Sequence, residues 1–571
     1  MAQTYLKQGK IDRAEEILTE WEQNNGFRRP VFRDLLKIYI MKGEFDKAEQ
    51  YILRTMKRYP YAGLDADLYH LYKAARRDED ARRQQKAILK KIQQRPHITL
   101  TLARRLREYG YSDFALQLLN GYEKIKPVAP LYLEKGYLYA ETGRRDSMMN
   151  AFIKAVELHP GYLSLVEGRL YDYISPQPDN PYNRSLLNQL SLRIRQHPLP
   201  QHFRLLEWLY IRQKQYEKAF AAVRSLYRLN RANLHEILNL ANDALEDGQT
   251  DAATMINEFV LKEAKPEDQN IRDRALLLKS RIEAALHRLP IREQTALWLE
   301  RTRQIRHPKT RFELEKMIVD LLIREKNYDR ALRLSDSLEK TAVRKAYRSH
   351  WKEKRGDIFL HQGLFDRAAI LYTLLREETP YEETGYRLLY KIGLASFLGG
   401  DPGWAHRNLK PLKKASQRNI ANDALWLDFL IISNKSPGDT LQKALKNLAK
   451  AYFAYYQQDF PALQRISDSL FALPENKKIR DDLLYLQGKL SFEQQEWDKS
   501  ETFWQKLLDK TSEKMFREEA LYRLGMIFEK RGDAEKAQYY FKQILTDYPE
   551  GFYFEPAQRH YRQLNGENSS I

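Results

Sequence analysis

Cysteine is absent from this chain of 571 residues. Disulfide bonds, thiolate metal sites and cysteine nucleophiles are therefore excluded. The chain also has no uninterrupted apolar run of about 18 residues, so the sequence predicts no transmembrane helix. The absence of cysteine is compatible with an oxidising compartment.

The short motifs that mark common enzymes are also missing. The sequence has no phosphate-binding G-x-x-x-x-G-K-[ST], no dinucleotide-binding G-x-G-x-x-G, no H-E-x-x-H zinc motif and no G-x-S-x-G nucleophile elbow. Its 12 histidines are scattered, and none is paired with an acidic residue at the spacing of a metal site. We therefore predict a protein without enzyme activity, cofactor or metal.

The composition indicates a folded, basic protein. Hydrophobic residues make up 43% of the chain and aromatic residues 12%, which is too much for a disordered chain. Lysine and arginine number 96 against 77 acidic residues, for a net charge of +19. This excess favours nucleic acid, anionic lipid or an acidic protein as a partner. Because acids and bases alternate along the chain, a solvated and mildly basic surface without a charged ligand is the other interpretation.

The clearest pattern lies between residues 520 and 549. Apolar and small residues recur there at helical spacing: Leu521, Leu524, Gly525, Phe528, Gly532, Ala537, Phe541, Ile544 and Pro549. Gly525 predicts a close approach of the second helix to the first. Gly532 ends the first helix, and Pro549 stops the second. The segment therefore predicts an antiparallel helix pair whose apolar face must be covered by neighbouring pairs.

This segment resembles the tetratricopeptide repeat, a helix–turn–helix unit of about 34 residues. Weaker copies of the same spacing recur along most of the chain. The resemblance implies an all-α fold, a tetratricopeptide-type α-solenoid in which antiparallel helix pairs form a right-handed superhelix. We expect about twelve to fifteen helix pairs from the repeat length.

The repeats divide the sequence into segments. Residues 1–173 predict an N-terminal array, and the proline-rich residues 174–200 predict either a hinge or a long loop between repeats. Residues 201–330 carry degenerate helical repeats, and residues 331–549 carry a C-terminal array. Residues 550–571 predict a capping helix followed by a frayed tail.

The first repeat is short. If Ala14 is the small residue of a second helix, Ala2 occupies the packing position of the first, and about half of that helix is missing. We therefore expect the natural chain to extend upstream. A signal or lipoprotein leader there would allow peripheral association with a membrane.

The C-terminal array contains a longer period. The sequence Ser335–Leu338 recurs at 467–470, 132 residues later. The same shift superposes small residues and aromatic residues of the array: Gly356 on Gly488, Tyr372 on Trp504, Gly393 on Gly525, and Gly400 on Gly532. A block of several helix pairs is therefore predicted to be present twice.

A concave groove is the binding surface that the resemblance implies. In the family, four positions of each first helix point into the groove. They predict the following partner-binding residues: Arg387, Tyr390, Phe397, Tyr485, Lys489, Phe492, Tyr522 and Met526. Tyrosine suits such a surface because it combines apolar area with one polar group. The alternative is that these aromatic residues support adjacent repeats.

A second candidate site is basic. Arg76, Arg83 and Lys90 recur at intervals of seven residues and predict one basic stripe for an anion. Nearby acidic residues dilute its charge. No aromatic stacking platform accompanies the stripe, which argues against nucleic acid.

The C-terminal third also resembles tetratricopeptide proteins of bacterial cell envelopes, in particular those of Bacteroidetes type. This resemblance implies a location in the periplasm or at the outer membrane. We therefore expect a non-enzymatic scaffold that docks protein or peptide partners in its groove, in an envelope assembly. The alternative is a cytoplasmic adaptor whose basic N-terminal face binds nucleic acid or an acidic regulator.

Overall fold

The computed structural model describes residues 2–7, 10–229, 232–286, 289–378, 383–414, 418–434, 439–473, 479–511 and 513–565. Regular structure within these ranges is helical throughout, with α-helices α1 to α32, three short 3₁₀ segments and no strand. The predicted all-α class is confirmed. The described residues alone hold more helices than the expected twelve to fifteen pairs require. The chain forms two compact units, Met1–Arg288 and Leu289–Ile571.

The first unit contains α1 to α17. Their bounds are α1 (Ala2–Lys7), α2 (Ile11–Asn25), α3 (Arg29–Met41), α4 (Phe45–Arg58), α5 (Gly63–Ala74), α6 (Asp78–Gln94), α7 (Thr99–Glu108), α8 (Ser112–Glu123), α9 (Ala129–Glu141), α10 (Arg145–Leu158), α11 (Leu163–Leu170), α12 (Pro181–Gln196), α13 (Pro200–Arg212), α14 (Tyr216–Arg228), α15 (Leu234–Glu246), α16 (Thr250–Glu263) and α17 (Gln269–Leu286). The 3₁₀ segments Pro96–Ile98 and Pro160–Tyr162 precede α7 and α11.

The second unit contains α18 to α32. Their bounds are α18 (Ile291–Gln304), α19 (Pro308–Arg324), α20 (Tyr328–Thr341), α21 (Lys345–His361), α22 (Phe365–Glu378), α23 (Glu383–Leu398), α24 (Pro402–Leu409), α25 (Arg418–Ser433), α26 (Asp439–Tyr456), α27 (Phe460–Phe471), α28 (Arg480–Glu493), α29 (Trp497–Lys510), α30 (Lys514–Lys530), α31 (Ala534–Asp547) and α32 (Phe554–Leu564). The helix α32 lies where the capping helix is predicted, and residues 566–571 of the predicted tail lie outside the described residues.

Sharp turns join the helices of each pair. Gly143 lies in the middle of the α9–α10 turn and Gly532 in the middle of the α30–α31 turn, with φ of 69° and 78°. Residues that have a β-carbon rarely adopt this left-handed backbone conformation, because the β-carbon then clashes with the backbone. Glycine has no β-carbon and is therefore favoured there. The chain then reverses, and consecutive helices pack side by side.

Small residues allow the two helices of a pair to approach closely. A β-carbon added to these glycines would overlap a ring of the second helix: 2.4 Å at Gly136 on Phe152, 2.5 Å at Gly356 on Tyr372, 2.9 Å at Gly488 on Trp504 and 2.6 Å at Gly525 on Phe541. The rings are fully or nearly fully buried, so they cannot move aside. The helix crossing predicted at Gly525 is therefore present.

The helix bounds repeat at the predicted shift of 132 residues. The bounds of α22, shifted by 132, are those of α29, and the last residue of α19 shifts onto the last residue of α26. The left-handed turn residues shift in the same way: Lys326 onto Gln458, Gly363 onto Gln495 and Gly400 onto Gly532. The two blocks thus share both their helix ends and their turn conformations.

The proline-rich segment 174–200 is largely helical in the structure. Its central part forms α12, which packs against α10 and α13 inside the first unit. Asn183 of α12 anchors the preceding loop, since its side chain bonds the backbone of Ser175 and Gln177. The division between the compact units falls later, after Arg288 and within the predicted degenerate repeats.

Candidate functional site

The second unit contains a cavity of about 460 Å³ whose lining includes eight aromatic and five charged side chains. Helices α23, α25, α26, α28 and α30 contribute to it, together with the residues around the start of α32. Its aromatic lining consists of Tyr390, Trp426, Tyr452, Tyr455, Tyr456, Tyr485, Phe552 and Tyr553. The cavity is therefore a concave apolar surface with several polar groups at ring edges, as ligand sites commonly are.

Trp426 and Tyr485 pack against each other in the lining of this cavity. Their ring centroids lie 4.2 Å apart, and Phe516 packs against both rings at 5.5 Å. Tyr485 is only 2% exposed, and burial raises the pKa of its hydroxyl well above the ordinary 10.0. The buried indole Nε1 of Trp426 has no hydrogen-bond acceptor among the described residues. An unpaired buried donor is costly, so a ligand that supplies an acceptor would gain stability there.

The charged groups of the cavity differ in how well they are paired. Glu519 accepts hydrogen bonds from Arg523 at 3.1 and 3.3 Å. Glu518 accepts the backbone N–H of Tyr553 at 2.6 Å. Lys489 has no hydrogen-bonded partner within the described part of the chain: its Nζ lies over the rings of Tyr455 and Tyr485, 5.4 and 5.8 Å from their centroids.

Asp423 is the remaining charged residue of the lining. Its side chain is exposed, although partial burial of the carboxyl raises its pKa and the charge of Lys489 opposes this shift. Solvent screens such an exposed charge, so it acts on the cavity less strongly than a buried one.

Three of the predicted groove residues come together in this cavity, namely Tyr390, Tyr485 and Lys489. Arg387 lies in a neighbouring cavity of about 520 Å³, where it binds Glu353. Of the eight predicted groove residues, the cavity therefore contains only those three, from α23 and α28.

The other predicted groove residues lie against the protein itself. Phe397 is a correction: it is 1% exposed and packs edge-on against Tyr452 at 5.8 Å, because α26 covers the end of α23. Phe492 lies beneath the guanidinium of Arg523 at 4.8 Å. Tyr522 stacks on Tyr553 at 4.5 Å. Met526 is half-buried against the core.

Sequence reasoning missed six of the eight aromatic residues that line the cavity, among them four from α25 and α26. Tyr452, Tyr455 and Tyr456 come from α26, and Trp426 comes from α25. The segment AYFAYY at 451–456 could have indicated these residues. It contains four aromatic residues in six, more than the single core-facing side of a helix can hold. These helices match the repeat spacing poorly, and the pattern therefore gave them no groove position.

The neighbouring cavity adjoins a network of ion pairs between α21 and α23. Arg387 donates two hydrogen bonds to Glu353, at 3.0 and 2.9 Å. Lys391 donates to Glu353 at 2.7 Å and to Asp357 at 2.6 Å. The hydroxyl of Tyr372 also donates to Asp357, at 2.7 Å. The four charges therefore satisfy one another.

The basic stripe predicted near the N-terminus is divided between two elements. Arg76 precedes α6 and sits in a left-handed turn with φ of 56°, so it does not share the helical period of Arg83 and Lys90. Arg83 pairs with Asp80 at 3.2 Å and with Glu79 at 3.8 Å. Lys90 is exposed. The three residues therefore do not form one continuous basic face, which corrects the prediction.

Across the part of the chain that the structure describes, no helix is long and apolar enough to cross a membrane. The same residues include no group of three or more histidine and acidic side chains placed to hold a metal ion.

Comparison with known families identifies the repeat. Residues 519–551 match the tetratricopeptide repeat, and so do residues 129–162. The chain contains tetratricopeptide repeats. The predicted tetratricopeptide-type solenoid is thereby confirmed, with the two matches lying on α30–α31 and α9–α10. Tetratricopeptide solenoids are scaffolds for protein interaction and are generally non-catalytic.

Solved structures give a distant likeness to the tetratricopeptide chain. A pentatricopeptide repeat protein from maize matches at 11% identity over 99% of this chain and 80% of that chain, with a TM-score of 0.35. A tetratricopeptide repeat protein from Parabacteroides merdae matches at 14% identity over 58% of this chain and 98% of that chain, with a TM-score of 0.20. No curated protein matches the sequence.

Proposed function

We propose that this tetratricopeptide protein is a non-enzymatic scaffold that docks a peptide segment of a protein partner in the aromatic cavity of its second unit. The observation that carries the proposal is the cavity of about 460 Å³, whose lining includes five tyrosines from α23, α26 and α28 and the packed rings of Trp426 and Tyr485. Rigid aromatic side chains bury much apolar area and lose little rotamer entropy on binding.

The cavity has the size and chemistry for one or two side chains of a peptide rather than for a flat protein surface. Its ring faces take apolar groups, and its tyrosine hydroxyls can bond a peptide backbone. Tyr390 is half-buried at the wall, so it contacts an occupant while remaining supported by its own helix.

Selection from a phage-displayed library of random peptides tests this function on the full chain. We expect selected peptides to bind the wild type and to lose about tenfold or more in affinity on Tyr390→Ala, since aromatic contact residues dominate such interfaces. Tyr539→Ala is the matched control, because Tyr539 is 57% exposed and outside the cavity. Selected peptides that bind both variants equally would contradict the proposal, provided thermal melts show both variants folded.

We propose further that the scaffold works in a bacterial cell envelope. The absence of cysteine from 571 residues and the envelope-type ending of the sequence support this location. Fractionation of cells that express the native gene, followed by immunoblotting, tests it. Recovery with periplasmic or outer-membrane markers is expected, and recovery with cytosolic markers alone would contradict it.

A further inference from the structure

The duplicated blocks of the second unit differ in charge at one set of equivalent positions. The shift of 132 residues carries Glu353 onto Tyr485, Asp357 onto Lys489, Arg387 onto Glu519 and Lys391 onto Arg523. These residues lie on equivalent helices, because α21 corresponds to α28 and α23 to α30. The same four sites therefore hold an ion-pair network in the first block and part of the cavity wall in the second.

The first block is neutral at these sites. Two acids face two bases, and every charge has a partner between 2.6 and 3.0 Å. Such a closed network leaves no charge for a ligand to pair with.

The second block has one acid too few. Glu519 pairs with Arg523 at 3.1 Å, but Tyr485 stands where the first block has Glu353. Lys489 therefore has no ion-pair partner at these four sites, and the acid that its charge influences is the exposed Asp423. The four sites thus carry one excess positive charge. Trp426 lines the same cavity, and its buried Nε1 has no hydrogen-bond acceptor among the described residues.

We propose that the cavity binds an acidic side chain of the partner peptide, a glutamate or aspartate beside an aromatic or aliphatic residue. The carboxylate supplies the negative charge that Glu353 supplies in the first block and pairs with Lys489. The neighbouring apolar side chain lies against the rings of the cavity. This inference rests on the proposed function, because it assigns the chemistry of the peptide that docks there.

The other acids of the cavity do not replace the missing one. Glu518 accepts the backbone N–H of Tyr553 at 2.6 Å. Asp423 is exposed and makes no ion pair with Lys489 among the described residues, but its charge acts on Lys489, so it is the acid with which an incoming carboxylate competes. The net charge of +19 also favours the approach of an acidic segment over a basic one.

Synthetic peptides from the selection described above test this chemistry. Each is acetylated and amidated, so that only side-chain carboxylates are present, and the acidic residue is replaced by its amide in a matched peptide. On the wild type we expect the amide peptide to bind about tenfold more weakly, as when one member of a partly buried charge pair is removed. On Lys489→Met we expect the two peptides to bind within about twofold of each other, which closes a double-mutant cycle.

Two further variants test whether the affinity for the acidic peptide depends on the charges of this cavity in the expected direction. Asp423→Asn removes a competing acid and is expected to strengthen binding of the acidic peptide. Lys499→Met is the matched control and leaves the acid preference unchanged, because Lys499 pairs with Glu496 at 3.1 Å and lies over Phe460, outside the cavity.

The outcomes separate this inference from the proposed function. Selected peptides that depend on Tyr390 but lack acids, or prefer bases, would overturn the inference alone. An acid preference that survives Lys489→Met would overturn it as well. Failure to select any peptide that depends on the cavity would overturn both.

Discussion

Gly525→Leu is expected to destabilise the second unit by at least about 2 kcal/mol through overpacking. A β-carbon at this position would lie 2.6 Å from Cε1 of Phe541, and the remaining leucine atoms would extend further into the same space. Phe541 is fully buried at the crossing of α30 and α31, so its ring has no free volume to enter. Chemical denaturation of the full chain, followed by circular dichroism, measures the loss as a lower midpoint.

Gly121→Ala is the control for that measurement. Gly121 lies within α8, and no atom comes within 4 Å of the position of an added β-carbon. Alanine lowers the entropy cost of the helix there, so stability is expected to rise by about 0.5–1 kcal/mol. Equal midpoints for Gly525→Leu and the wild type would mean that the two helices do not cross at Gly525.

The fold was largely predictable because, in this repeat, individual residue types follow directly from how the two helices pack. Gly525, Gly532 and Ala537 each have one function in a helix pair, and the structure has the close approach, the left-handed turn and the buried crossing at those residues. The 132-residue period was visible for the same reason, since the glycines at the helix crossings, Gly356 and Gly393, recur as Gly488 and Gly525.

The candidate site was less predictable, because groove residues are defined by neighbours distant in sequence. Phe397 has the spacing of a groove residue, but α26 covers it. The sequence around Trp426 and Tyr455 departs from the repeat, so no position rule assigned these residues to the wall. The spacing of residues along a helix shows which of them share a face. It does not show which other element of the protein packs on that face.

The basic stripe shows a further limit of spacing arguments. Arg76, Arg83 and Lys90 are seven residues apart, which places them on one face only if a single helix contains all three. Arg76 instead adopts the left-handed turn before α6. No glycine marks this turn, but the acidic residues at 78–80 are a helix-start signal that the seven-residue spacing did not take into account.

Removal of Glu353 is expected to cause a second large loss of stability. Glu353 is 8% exposed and pairs with Arg387 and Lys391. Glu353→Gln leaves Lys391 with Asp357 alone and Arg387 with a neutral amide. Breaking a buried charge pair by removing one partner costs about 3–5 kcal/mol. We expect about 3 kcal/mol, since Arg387 still reaches solvent.

Glu300→Gln is the control for this loss. Glu300 pairs with Arg303 at 2.8 Å on the surface of α18, where both side chains are more than half exposed. Exposed pairs of this kind contribute little, so the midpoint of unfolding should not change. Equal midpoints for both variants would mean that Glu353 is not part of a closed network.

The pH dependence of stability distinguishes loss of the charge of Glu353 from loss of its packing. Burial raises the pKa of Glu353, but the hydrogen bonds and charges of Arg387 and Lys391 outweigh it and lower the pKa from the ordinary 4.5 to about 2. The folded state therefore binds the proton less readily than the unfolded state. This stabilisation is fully present above about pH 4.5 and is lost as the pH falls from 4.5 through 2. The stability difference between the wild type and Glu353→Gln should shrink across that range, whereas a packing defect would cost the same at every pH.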